Sequence, residues 1–350
     1  MEDQNKHTPE ENQNHDDNDK SQSHQSEGET FENRLPLDDV KEKVDAIKLE
    51  IKKVIFGQDD FIDMLIASLF ARGHILVEGV PGVAKTITAK LFAKSIKTEF
   101  SRIQFTPDLM PSDVLGTSVF NEANRDFEFK KGPIFSNIVL IDEINRSPAK
   151  TQSSLFEVME ERQVSIDGRV FNFDDPFMVL ATQNPIEQEG TYELPEAQVD
   201  RFLCKIIVKY PDLEDEITML NNKHNENETL ALDQINPVLT PEELSKIQSK
   251  INKIQVEEKV IKYIAHIIHE TRNHQYLLLG GSPRASIAIL NLAKSFAAMN
   301  GRDFVTPEDV KRSLHPVLNH RLILAPEREM EGITIDQVIE LIQKSVEIPR

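Results

Sequence analysis

Apolar positions divide the chain into regimes. From Leu35 onward, Val40, Val44, Ile47, Ile51 and Ile55 recur at helical spacing and stop before Gly57. Short apolar runs without alternation then take turns with helical patterns. The runs predict strands at His74–Val77, Phe100–Phe105, Ile138–Ile141, Phe177–Ala181 and Cys204–Val208, with helices at Thr86–Ile96 and Ala149–Glu161. A strand with no polar face is covered on both sides, as in a parallel sheet flanked by helices. Residues 35–210 are therefore expected to form a doubly wound α/β domain around a parallel five-stranded sheet. After Pro211 the strand signal stops. Helical patterns at Leu244–Ile254, Val256–Thr271, Pro283–Met299 and Thr334–Val346 predict a linker at 211–238 and an all-α domain at 239–350.

Before Leu35 the pattern is absent. Between Met1 and Thr30 the only apolar residue is Met1, and residues 1–34 carry ten acidic and three basic side chains. Such a segment cannot bury enough surface to offset the entropy of ordering its backbone, so 1–34 reads as a disordered acidic tail. The tail accounts for −7 of the net charge of −19 and leaves −12 for the other 316 residues. That balance, with no basic helix or basic aromatic-rich stripe, disfavours a nucleic-acid partner. Cys204 is the one cysteine, so a disulfide framework and a cysteine zinc cluster are excluded. The N-terminus has no apolar signal region and no stretch is long and apolar enough to span a membrane, so a soluble cytoplasmic protein is expected.

The chemistry is concentrated between the strands. Gly79-Val80-Pro81-Gly82-Val83-Ala84-Lys85-Thr86 follows the first strand and opens a helix. Small residues let backbone N–H groups wrap phosphate oxygens at a helix N-terminus, a lysine reaches the β and γ charges, and a hydroxyl serves Mg²⁺. Ala84 stands where this motif usually has its last glycine, and a methyl there is expected to require a negative φ. Asn137 to Glu143 is a buried strand ending in two carboxylates. In a phosphate-loop enzyme Asp142 would hold Mg²⁺, and Glu143 would polarise a water for attack on the γ-phosphate. A pure binder needs only the aspartate, so Glu143 argues for hydrolysis.

Further strings closely resemble the MoxR branch of the AAA+ superfamily, from Leu35 to about Val346. They are FGQ (Phe56–Gln58), EGVPGVAKT (Glu78–Thr86), QFTPDLMPSDVLG (Gln104–Gly116), GPIFSNIVLIDEINRSPAKTQ (Gly132–Gln152), ATQNP (Ala181–Pro185), LPEAQVDRF (Leu194–Phe202) and SPRAS (Ser282–Ser286). The resemblance implies a P-loop AAA+ α/β domain with a C-terminal helical lid, using ATP and Mg²⁺. It makes Asn184 the residue that orients the attacking water, and Arg201 an arginine finger for a neighbouring subunit. It makes Arg284 a γ-phosphate sensor on the lid, with Ser282 a plausible N-cap and Pro283 at the first helical position. Arg284 would couple γ-phosphate loss to movement of the lid. It also puts Gly57 and Gln58 near the adenine, and Arg146 becomes a further candidate for the subunit boundary.

The same resemblance implies a homo-oligomeric ring, a hexamer, that remodels or matures a client protein complex, including clients bearing a von Willebrand factor A domain. A magnesium-chelatase-type motor subunit and a nucleotide-gated scaffold are the alternatives. Pro107 and Pro111 fit a loop projecting from the domain, and Arg162–Phe173 around Asp167-Gly168 predicts a β-hairpin. These are the candidate client surfaces. His269 and His274 mimic a zinc motif but stand five apart, about 140° around a helix, so they cannot share an ion as an i, i+4 pair does. No protein-ligated metal is expected, and Cys204 reads as a small core residue.

Overall fold

The computed structural model describes residues 35–184, 192, 194–225 and 235–349. The acidic tail at 1–34 and part of the stretch read as linker lie outside them. Helices α1 (Asp38–Lys52) and α2 (Asp59–Phe70) precede β1 (Ile75–Gly79), α3 (Lys85–Ser95) and β2 (Phe100–Gln104). A short helix α4 (Pro111–Leu115) leads into the hairpin β3 (Gly116–Asn121) and β4 (Asp126–Lys131), followed by β5 (Ile138–Asp142) and α5 (Ala149–Glu161). Then come the hairpin β6 (Gln163–Ile166) and β7 (Arg169–Asn172), β8 (Met178–Gln183), α6 (Glu196–Val199) and β9 (Cys204–Val208). The C-terminal part holds α7 (Leu213–Asn225), α8 (Pro241–Asn252), α9 (Glu258–Asn273), α10 (Pro283–Met299), α11 (Pro307–Leu318), α12 (Pro326–Met330) and α13 (Ile335–Ser345), with a small pair β10 (Leu277–Leu279) and β11 (Ile323–Leu324).

Five strands form one parallel sheet in the order β2-β5-β8-β1-β9. The apolar runs that lacked alternation do alternate in space, because both faces are covered. Ile75, Val77, Ile138, Leu140, Met178 and Leu180 enter one core with α1–α3 and the C-terminal helices. Leu76, Val139, Ile141, Val179 and Ala181 enter a second core with α5. The sheet is therefore the doubly wound one expected. The chain leaves β1 for the far edge at β2 and returns inward, so the crevice at the C-terminal end of β1 is a topological switch point, where such sheets bind ligands.

Two stretches differ from expectation. Leu213–Asn225, within the stretch read as linker, is the helix α7. Residues 116–131, for which the sequence pattern predicted no element, form the hairpin β3–β4. The predicted hairpin is present, with Asp167 and Gly168 both at positive φ (51° and 74°), as a two-residue turn of the primed type needs. The two hairpins lean on one another through the Phe129 and Phe171 rings, 4.4 Å apart, and through a Ser118–Asp167 hydrogen bond. No helix among the described residues is long and apolar enough to cross a membrane.

Candidate active site

β1 delivers Gly79 to the crevice, and α3 starts at Lys85. Between them Gly82 has φ 88° and Ala84 φ 58°, ψ 19°. The expectation that Ala84 keeps a negative φ is thus corrected: it is left-handed. For an alanine this costs about 1–2 kcal/mol. The loop imposes it because alternating the sense of successive residues turns their N–H groups toward one concavity, the anion nest that phosphate binding needs. Gly79 has its own reason to be glycine, since a Cβ there would stand 2.8 Å from the Val208 carbonyl of the adjacent strand. The Lys85 ammonium donates to the Gly79 carbonyl at 2.6 Å. Burial lowers its pKa, with Asp142 and Glu143 pulling the other way.

Asp142 ends β5, is 8% exposed, and accepts from Arg102 Nε at 2.5 Å and from the Thr182 hydroxyl at 3.3 Å. Glu143 follows at φ 57°, ψ 54°, a second left-handed non-glycine at the site. Its backbone N–H donates to the Thr182 hydroxyl at 3.0 Å, which fixes the turn against β8. Its carboxylate accepts from the Gln104 amide at 2.7 Å and pairs with Arg146 Nε at 3.3 Å. Arg102, Gln104 and Thr182 were missed by sequence reasoning. Nothing in the string marks them, because their roles come from the register that sets Gln104 opposite Asp142. Asn184 stands one residue beyond β8, half-buried at the same end of the sheet. Gly57 (φ 67°) lies under α7, where a Cβ would meet the Asp215 carboxylate at 2.5 Å, and the buried Gln58 amide donates to the Lys209 carbonyl at 3.1 Å.

Arg201 and Arg284 stand elsewhere. β9 runs parallel to β1 in the register Ile75↔Cys204 to Gly79↔Val208, so Arg201, just before β9, lies at the end of the sheet opposite the phosphate loop. At about 3.3 Å per residue the strand alone separates the two ends by roughly 13 Å. Arg284 opens α10 as expected, with the Ser282 hydroxyl accepting its N–H at 3.2 Å and Pro283 first in the helix. It too faces the far end. Both guanidinium groups pair with Glu160, Arg201 with Oε2 and Arg284 with Oε1 at 2.5 Å. They line a cavity of about 320 Å³ with Arg72, Arg162, Arg321 and Glu160 among its walls. The structure thus brings Lys85, Thr86, Asp142, Glu143 and Asn184 to one end of the sheet and the two arginines to the other.

Arg321 is the strongest feature that sequence reasoning missed. Its side chain is 3% exposed and donates to Asp200 Oδ1 (2.7 Å) and to the carbonyls of Asp200 (3.1 Å), Phe202 (2.5 Å), Leu203 (3.2 Å) and Val317 (2.6 Å). The Ser282 hydroxyl donates to the same Asp200 carboxylate at 3.0 Å. The segment carrying Arg201 is therefore clamped to α10 and α11. Cys204 is buried beside Ser68, and burial pushes its thiol up to about 12. Among the described residues no group of three or more His, Cys, Asp or Glu is placed to hold a metal ion by itself.

Comparison with known proteins agrees with this geometry. Residues 74–204 match the model of the ATPase family associated with various cellular activities (AAA), and residues 269–342 match that of the AAA lid domain. The chain is 43% identical over 299 residues to the uncharacterized protein YeaC of Bacillus subtilis, covering 85% of this chain and 92% of that one. It is 41% identical over 310 residues to Chaperone MoxR1 of Mycobacterium tuberculosis, covering 86% and 81%. A crystal structure from Cytophaga hutchinsonii, described as an ATPase, superposes with a TM-score of 0.84 at 44% identity, covering 90% of this chain and 97% of that one. With the phosphate loop and the acidic strand end inside the residues matched to the ATPase family, and a C-terminal part matched to the lid family, the chain belongs to the MoxR-type AAA+ ATPases and is an ATP hydrolase.

Proposed function

We propose that this ATPase works as a Mg²⁺-dependent ring in which hydrolysis drives the remodelling or maturation of a client protein complex. One observation carries the reading: Arg201 and Arg284 stand together at the end of the sheet away from the phosphate loop of their own chain. They reach a γ-phosphate only if a second copy presents one. A closed ring repeats that head-to-tail contact without leaving free ends. The hexamer is the stoichiometry we propose.

The residues fit the substrate and its ion. The left-handed Gly82 and Ala84 turn the loop amides inward, and Lys85 needs only to leave the Gly79 carbonyl to meet phosphate. Asp142 and the Thr86 hydroxyl would hold Mg²⁺; Asp142 Oδ1 meets only a neutral hydroxyl at 3.3 Å on this side, longer than a charge-assisted bond. Bound there, the ion offsets charge on the triphosphate. Glu143 accepts a proton from water as the oxygen bonds to the γ-phosphorus, and the bond to the β-phosphate oxygen breaks to release ADP and phosphate. Asn184 orients that water with a neutral amide. Gln104 and Arg146 hold the Glu143 carboxylate and must yield it first. Gly57 and Gln58 seat the adenine. Arg201 and Arg284 of the adjacent copy stabilise the charge spread over the γ-phosphoryl group.

The two adjoining hairpins are the proposed client surface. Val119, Phe120 and Phe127 are exposed there, and the last two rings meet edge to face at 5.4 Å. The test is the Glu143→Gln protein trapped with ATP, with mass, nucleotide binding and turnover measured together. We expect a ring that binds ATP and does not turn over. A monomer that hydrolyses ATP at the wild-type rate would overturn both the base and the ring.

A further inference from the structure

We propose that Glu160 is a positioning residue whose single carboxylate holds Arg201 and Arg284 side by side as one matched pair. The inference rests on reading those arginines as acting on a neighbouring copy. Two guanidinium cations in one cavity repel each other, and each has several rotamers to lose before it can grip a phosphate. Glu160 answers both problems. One oxygen takes Arg201, the other takes Arg284, and the local charge falls from +2 to +1. Arg201 comes from the loop before β9 and Arg284 from the start of α10, so the carboxylate also joins the α/β part to the helical part at this point.

No other acid on the cavity wall is available among the described residues. The second one, Asp200, already accepts from Arg321 and Ser282. Arg162 and Arg72, on the same wall, both pair with Asp175. The Arg201 side chain is further set by donation from Nη1 to the Phe156 carbonyl at 3.2 Å, one turn before Glu160 on α5. Its Nε is buried with no hydrogen-bond partner. The Glu160 side chain is 37% exposed, and such a pair is weak enough in water to exchange for phosphate oxygens. Glu160 thus presents the pair and then lets go. It also sits at the C-terminal end of α5, whose N-terminal end follows the Glu143 turn, so one helix of 13 residues links a chain's own carboxylates to the arginines it offers its neighbour.

The test uses the full chain with Glu160→Ala and Glu160→Gln, and Arg201→Ala, Arg284→Ala and Lys85→Ala as companions. Steady-state kinetics separate kcat from KM, and a fluorescent ATP analogue reports nucleotide affinity. Misplaced catalytic groups lower rates by on the order of 100-fold. We expect Glu160→Ala to lower kcat by about 10- to 100-fold with nucleotide affinity within about twofold, and Glu160→Gln, which keeps one acceptor oxygen, to fall between. Mixing Glu160→Ala subunits with Lys85→Ala subunits should restore turnover, because the latter offer an intact arginine pair to the intact phosphate loops of the former. Wild-type or faster turnover in Glu160→Ala, alongside a loss in Arg201→Ala, would overturn the Glu160 inference alone. So would a loss that mixing does not rescue. Wild-type turnover in both arginine variants would instead remove the reading on which it rests.

Discussion

Replacing Arg321 by methionine removes a fork of donors from a place water hardly reaches. Five acceptors lose the Arg321 donor: one Asp200 carboxylate oxygen and the carbonyls of Asp200, Phe202, Leu203 and Val317, of which Phe202 keeps a longer contact with His320 Nε2 at 3.4 Å. Breaking a fully buried ion pair costs about 3–5 kcal/mol, and each orphaned buried acceptor about 1–3 kcal/mol when nothing replaces the bond. Two facts reduce the sum here. Asp200 is 21% exposed on its side chain and keeps the Ser282 hydroxyl, and methionine refills most of the apolar volume of the arginine stem. We therefore expect a loss of about 3 kcal/mol, the low end of the range for a broken buried pair. At about 2 °C per kcal/mol for a chain of this size, the nucleotide-free protein should melt about 6 °C lower. Arg321→Lys should recover little, since one ammonium cannot serve a planar fork. Asp200→Asn combined with Arg321→Met should fall short of the sum of the single losses, because the charge left behind by the first change is removed by the second. Arg321→Met melting within about 1 °C of the wild type would refute the reasoning, whatever its turnover.

Two further predictions concern the loop and the buried histidines. Ala84→Gly should keep nucleotide affinity, whereas Ala84→Val, β-branched at a left-handed position, should lose it by about tenfold or more in equilibrium titration with a fluorescent ATP analogue. His74 accepts the Val179 N–H at Nδ1 (3.0 Å), so its Nε2 carries the proton given to the Met159 carbonyl (3.0 Å). Burial, with the charge of Arg162, lowers its pKa from 6.5 to about 4, and burial with Arg321 lowers His320 as well. The unfolded chain therefore takes up protons near pH 6.5 that the folded chain refuses. Stability should be full above that pH and fall between about 6.5 and 4, with His74 contributing about 3 kcal/mol of the loss. Urea midpoints at pH 7.5 and 5 check this; an equal drop in His74→Gln would sink the assignment.

Much of this was legible in the string, for identifiable reasons. The central strands were visible because burial on both faces forces uninterrupted apolar runs. The edge strands β2 (FSRIQ) and β9 (CKIIV) carry a weaker version of that signal. Cys204–Val208 and Pro283–Met299 matched the structure residue for residue. Phosphate chemistry was visible because it is local: strand, small residues, lysine, hydroxyl, helix. Ala84 was misread because a single-residue steric preference yields to the demands of a whole loop. The β3–β4 hairpin was missed although Asp126–Lys130 alternates polar and apolar residues, because both strands are largely exposed and their apolar side chains join no core. α7 was missed for a similar reason, as Leu213, Ile217 and Leu220 recur at helical spacing but remain exposed in a polar stretch. Glu160, Gln104 and Arg321 act through partners far along the chain, and no window of sequence contains both halves of such a contact.

The C-terminal helices do not form a flap with a core of their own. Leu244, Ile247, Ile289, Leu292, Phe296 and Val317 belong to the same apolar cluster as Val44, Ile47, Leu65 and Ile66 of the first two helices. Hinging the one away from the other would wet that shared surface, at about 25 cal/mol for each Å². A stroke driven by ATP is cheaper elsewhere. In the ring proposed above, each chain should travel as one stiff wedge, and the conformational change should be carried in the seams between wedges.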